Sequence, residues 1–113
     1  MAVRERRISG VVVLGPECPV TTARIAVELR DVTYADGPAP LVAEMIAREV
    51  AIGPGARIPF TLRAPAGTGL GLAAHVDRAG DGVLAPGDLV STQAIPVPTD
   101  GAVTDVVIPV RPV

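Results

Sequence analysis

Between Arg24 and Val32 the apolar residues Ile25, Val27 and Leu29 alternate with Arg24, Glu28 and Arg30, the two-residue period of a strand with one face buried. The run ends at Asp31-Val32-Thr33-Tyr34-Ala35-Asp36-Gly37-Pro38-Ala39-Pro40, where Asp, Gly and Pro force the backbone to turn. A helix cannot use that alternation, because its side chains repeat every 3.6 residues.

The same punctuation recurs along the whole chain. Twelve Pro and twelve Gly are spread through 113 residues and divide it every eight to twelve residues, which leaves little room for a long helix. Seven strands are expected: Ile8 to Leu14, Ala23 to Val32, Leu41 to Val50, Ala56 to Arg63, Leu70 to Asp77, Asp88 to Val97 and Val103 to Val110. The third has a competing helical reading, since Leu41, Met45 and Arg48 also share a helical face, but the short Pro-rich connections around it favour a strand. In the fifth, Leu70, Leu72, Ala74 and Val76 point to the core, and His75 and Asp77 point away from it. The expected fold class is all-β: residues 1–113 as one domain, a single seven-strand antiparallel β-sandwich of the immunoglobulin or prealbumin kind. The two terminal strands read as its edges, with Pro109 and Pro112 blunting one of them.

Composition narrows the chemistry. All ten cationic residues are Arg, and without Lys there is no Schiff base, P-loop lysine or Ser-Lys dyad. A net charge of −2 with interspersed signs, together with one Tyr, one Phe and no Trp, supplies neither a basic stripe nor a stacking platform, so no nucleic-acid partner is expected. Val11 to Leu14 is cut short by Gly15-Pro16, and no export signal or membrane span is read; the expected location is cytoplasmic. Cys18 is a lone loop thiol in a reducing compartment, and Arg4-Glu5-Arg6-Arg7 is a solvated edge.

Four segments in order, Val27 to Ala39, Ile58-Pro59-Phe60, Ala74-His75-Val76-Asp77 and Ser91 to Val97, resemble the sequence pattern of the YbaY/YscW family. That resemblance implies a small β-sandwich. It also implies kinship with lipoproteins and with pilotin-like chaperones of secretion secretins, and it brings no catalytic residues with it.

Candidate site chemistry concentrates in Asp77 to Asp88. Counted from Asp77, carboxylates fall at positions one, five and twelve (Asp77, Asp81, Asp88) and Gly82 at six, part of a calcium loop, though Ala79, Ala85 and the short Asp88 depart from it. The ordinary reading is a long hairpin connection whose Asp side chains cap turn amides. His75 with Asp77 and Ser91 or Thr92 makes an imaginable triad, without the strand-turn-helix sequence that usually presents a nucleophile. Gly67-Thr68-Gly69-Leu70-Gly71 lacks the strand-before, helix-after context of a phosphate loop and reads as a hairpin, and Gly53-Pro54-Gly55 as a tight turn.

Two functions are consistent with these residues. The first is a non-catalytic binding or chaperone-like accessory protein that holds a protein partner or a small apolar ligand and needs no cofactor. The alternative is a small cyclase or isomerase that orients its substrate in an apolar pocket, within one chain or shared across a homodimer, with polar contacts from Tyr34, His75, Asp77 and Gln93.

Overall fold

Strands account for all the regular structure in residues 5–33 and 37–113, which the computed structural model describes. They are β1 (Glu5–Leu14), β2 (Thr21–Asp31), β3 (Leu41–Ile52), β4 (Arg57–Pro65), β5 (Leu70–Asp77), β6 (Leu89–Val90), β7 (Ile95–Pro96) and β8 (Val103–Pro112). The all-β class is as expected, and β3 is a strand, not a helix.

Alternation places the core. Ile25, Val27 and Leu29 of β2 and Leu72 and Val76 of β5 are fully buried, as are Ile8 and Val12 of β1 and Ile108 of β8. Among the described residues the one buried aromatic is Phe60 on β4. Each buried Val, Leu or Ile contributes roughly 1.5–3 kcal/mol through loss of apolar surface from water.

Pairing differs from expectation in three ways. The strands form one hydrogen-bonded path, β3-β2-β5-β6-β8-β1-β4, with β7 also paired to β5. It bends round until β3 and β4 face each other without a ladder, a nearly closed, barrel-like sheet flattened to 45 × 30 × 21 Å. Second, β1 and β8 pair parallel, Ile8 with Val103 through Leu14 with Val110, so the sheet is mixed. These two strands are therefore interior, and the edges are β3 and β4. Pro109 is accommodated because β6 reaches only Arg111 and Pro112, so at Pro109 the β8 ladder runs to β1 alone.

Third, the expected strand Asp88 to Val97 is two short strands. The Ser91 hydroxyl accepts the Ala74 amide at 2.9 Å and the Ser91 amide donates to the Ala74 carbonyl at 3.0 Å. A side chain thus replaces one backbone partner of β5, and the chain loops out between β6 and β7. Residues 65–69 are not a hairpin either. They carry the chain from β4 across to β5, whose neighbours are β2, β6 and β7, and the Gly67 amide is fixed by the Thr99 carbonyl at 2.8 Å. The turn at Gly53-Pro54-Gly55 is as expected, closed by the Ala56 amide on the Gly53 carbonyl at 3.1 Å.

Two bulges carry left-handed residues. Glu49 (φ 53°) sits where Arg48 and Glu49 together oppose Arg24, and Asp105 (φ 60°) where β8 gains a residue on β1 between Ile8 and Gly10. Beside the second bulge the backbones of β1 and β8 crowd together, and a Cβ on Gly10 would overlap the Val106 carbonyl.

The amino-terminal charge run is only half solvated. Because β1 starts at Glu5, its alternation carries Arg6 onto the face of Ile8, Val12 and Leu14, where it is buried and donates through Nη1 to the Pro98 carbonyl at 2.5 Å. Its Nε and Nη2 are buried without a partner among the described residues. Arg7 is exposed, and Arg4 lies outside the described residues.

The Gly10→Ala variant is expected to lose about 3 kcal/mol, since backbone and not a flexible side chain blocks the new methyl. That corresponds to a fall in melting temperature of more than about 10 °C in calorimetry.

Candidate functional site

The residues richest in chemistry lie at one end of the β5–β6 hairpin. Asp77 ends β5, Asp88 precedes β6, and both are buried, at 0% and 1% exposure. Each carboxylate spans the loop between them. Asp77 Oδ1 accepts the Gly80 amide at 2.9 Å and Oδ2 the Gly82 amide at 2.5 Å. Asp88 Oδ1 accepts the Arg78 amide at 3.0 Å and Oδ2 the Ala85 amide at 3.0 Å. Asp81 caps the Val83 amide at 2.9 Å. Positive φ at Gly80, Gly82 and Gly87 lets the chain present these amides inward.

His75 points away from the apolar core, as its place in the alternation requires, but it is half-buried. Its Nε2 lies 2.9 Å from Asp88 Oδ2. Potential ligand atoms of His75, Asp77 and Asp88 all fall within 4.8 Å of one another. Arg24 Nη1 approaches Asp77 Oδ2 at 3.9 Å and supplies a positive charge to the same cluster. Burial raises the Asp88 carboxyl, but hydrogen bonds from His75, Arg78 and Ala85 outweigh it, and the group ionises below its ordinary range. Asp31, half-buried at the end of β2, is also held low by the Thr33 hydroxyl at 2.6 Å and the Thr33 amide at 3.0 Å.

The structure brings together only part of what sequence reasoning grouped. Asp77 and Asp88 meet, whereas Asp81 is not in the cluster and bonds its own turn. The calcium loop read from the sequence would bring Asp81 together with Asp77 and Asp88, and Asp81 stands apart from them. Here every oxygen of Asp77 and Asp88 already accepts an amide, and Arg24 occupies the approach to Asp77. No triad forms: the carboxylate that His75 meets is that of Asp88, and the Ser91 hydroxyl is bound to the Ala74 backbone. Gln93 is exposed on the loop between β6 and β7, Thr92 beside it is exposed too, and Tyr34 lies outside the described residues.

Sequence reasoning missed the His75–Asp88 pair. The available signal was the odd position of His75 on β5, facing the strand that follows Asp88 in a hairpin.

Four surface concavities of about 380, 340, 670 and 510 Å³ are open dishes, and none is lined by His75, Asp77, Asp88 or Gln93. Cys18 is a buried free thiol, raised by its burial, with Sγ 3.4 Å from the Pro19 carbonyl. Among the described residues no helix is long and apolar enough to cross a membrane.

Neither the family models nor the curated proteins contain a match to this chain. Among solved structures, an alternative pilotin from the type II secretion system of Vibrio cholerae superposes with a TM-score of 0.74 over 97% of this chain and 98% of that one, at 22% identity. The fold is therefore pilotin-like.

Two outcomes test the site. Because the Asp88 carboxyl is lower in the folded than in the unfolded chain, its contribution is complete above its unfolded value near 3.8 and is lost as pH falls through its lower folded value. Urea denaturation from pH 7 to pH 2.5 should show Asp88→Asn less stable by about 1–3 kcal/mol at neutral pH, the gap narrowing below about pH 4. Melting curves in 5 mM calcium and in chelator, about a hundredfold range of free ion or more, should coincide, because Asp81 stands apart from the other two carboxylates and Arg24 lies beside Asp77.

Proposed function

We propose that this chain is a non-catalytic accessory protein, a small chaperone-like binder that holds part of another polypeptide. The observation carrying this reading is the correspondence of its fold, end to end, with that of a pilotin. The state of the polar residues agrees with it. His75, Asp77, Asp88 and Ser91 are committed to the hairpin and its backbone rather than aimed at a substrate. In the same reading the chain belongs to the YbaY/YscW family, and its flattened barrel is a two-layer sandwich joined along β8. Its Asp31 turn and its Ile58-Pro59-Phe60 strand are then pieces of scaffold rather than of a site.

Photo-crosslinking groups installed at Ile46 and Val107, both exposed, test the proposal in the native host. The expected product is one defined protein adduct from at least one position, identified by mass spectrometry. A protein that gives no adduct above background, and that is recovered in native mass spectrometry with a small molecule which it transforms, would sink the proposal.

A further inference from the structure

β3 ends the hydrogen-bonded path, with β2 on one side and no ladder on the other. Along that edge Glu44 lies directly opposite Glu28 of β2, and Arg48 belongs to the bulge that faces Arg24. Like charges so placed repel. The opposite charges nearby on β2 are already engaged, Arg30 with Glu28 and Arg24 with Asp77. Glu44 and Arg48 cannot meet each other, since four residues along one strand separate them by roughly 13 Å. Glu49 adjoins Arg48 in the bulge, but neither residue, nor Glu44, takes part in an ion pair among the described residues.

The edge is also open. Glu44, Ile46 and Arg48 alternate on the outward side of β3 and are all exposed. Met45 and Ala47 face inward with their partners Val27 and Ile25, which are fully buried, yet they are themselves only half-buried. Ile52, next to the turn into β4, is buried, and that cover does not reach back to Met45.

From this edge we infer that β3 pairs antiparallel with β3 of a second copy of the chain, about a twofold axis at Ile46. A twofold contact sets a patch against itself, so the patch must carry opposite signs on the two sides of the axis. Glu44 stands two residues before Ile46 and Arg48 two residues after it. Each Glu44 then falls opposite the second copy's Arg48, and the two Ile46 side chains meet on the axis, the kind of cross-strand pairs that stabilise a sheet. Each charge gains the counterpart that β2 denies it.

The same residues fix the register. Moving the centre of pairing by one residue sets Glu44 or Arg48 against Ile46. Moving it by two sets Glu44 against Glu44 or Arg48 against Arg48. The ladder needs to run only from Glu44 to Arg48, ending where the left-handed Glu49 breaks the strand's regularity. Such a contact is small, and the dimer it makes is a weak one. A foreign strand without the matching charges is turned away by them.

Sedimentation equilibrium of the full chain under reducing conditions, from micromolar to millimolar concentration, tests the pairing. The expected result is a reversible equilibrium between monomer and dimer. Glu44→Arg and Arg48→Glu should each weaken it at least about tenfold, because in a twofold dimer one substitution turns two attractive pairs into two repulsive ones. An equimolar mixture of the two variants should recover the wild-type affinity, since one strand then offers two positive residues and the other two acidic ones. That recovery also shows that both variants are folded. A wild-type chain that stays monomeric at millimolar concentration would overturn the inference. So would a dimer that both substitutions leave equally strong, which places the contact on another surface, and so would a mixture that recovers nothing. The accessory role is judged separately: an adduct of the chain with itself at Ile46 reports this pairing, and an adduct with a different protein reports that role.

Discussion

Everything in this fold depends on β8 having neighbours on both sides. Along most of its length it pairs parallel with β1, and at Arg111 and Pro112 it pairs with β6. It is the hydrogen-bonded link between a β4-β1 half and a β3-β2-β5 half. Remove that link and each half keeps its internal ladder but presents its apolar face to water. The Asp105 bulge and the bare Gly10 are the local means by which the two backbones stay paired at close approach there.

The residues most suggestive of chemistry turn out to work for this architecture. An eleven-residue connection between β5 and β6 leaves many backbone amides to satisfy, and burying unpaired donors is costly. Asp77 and Asp88 answer that need from opposite ends of the loop, and His75 of β5 and Arg24 of β2 approach them from the strands. An ionised carboxylate buried with several donors is a stable arrangement, and it leaves little freedom for a reacting group. Function is then sought on the outer surfaces, where pairing and exposure leave groups unused.

Much of the strand content was legible because it rests on local alternation. The inward set of β5, from Leu70 to Val76, and the turn that Asp31 makes with Thr33 follow from neighbours in the chain. What was not legible depends on distant partners. The parallel pairing of Ile8 with Val103 is invisible to periodicity, and so is the Ser91 hydroxyl that displaces a backbone partner of β5. Arg6 was misread because charge argues for solvent, whereas its register on β1 puts it inside against Pro98. The candidate site divided in the same way. Asp capping of loop amides follows from turn chemistry, but the meeting of His75 with Asp88 needs the hairpin to fold back at a register that no local pattern specifies.

The two unpaired edges are guarded by different means. On β4, Pro59 faces Val11 in the β1 ladder and lacks an N–H altogether, so one donor is missing from the row that another strand would have to match. β3 is twelve residues long and has no proline; its guards are the charges Glu44, Arg48 and Glu49 and the bulge at Glu49. Covalent geometry is indifferent to the solvent, but charge is screened by salt. Unwanted strand-to-strand association therefore has one preferred entrance, β3, and that entrance widens in concentrated salt while β4 stays shut.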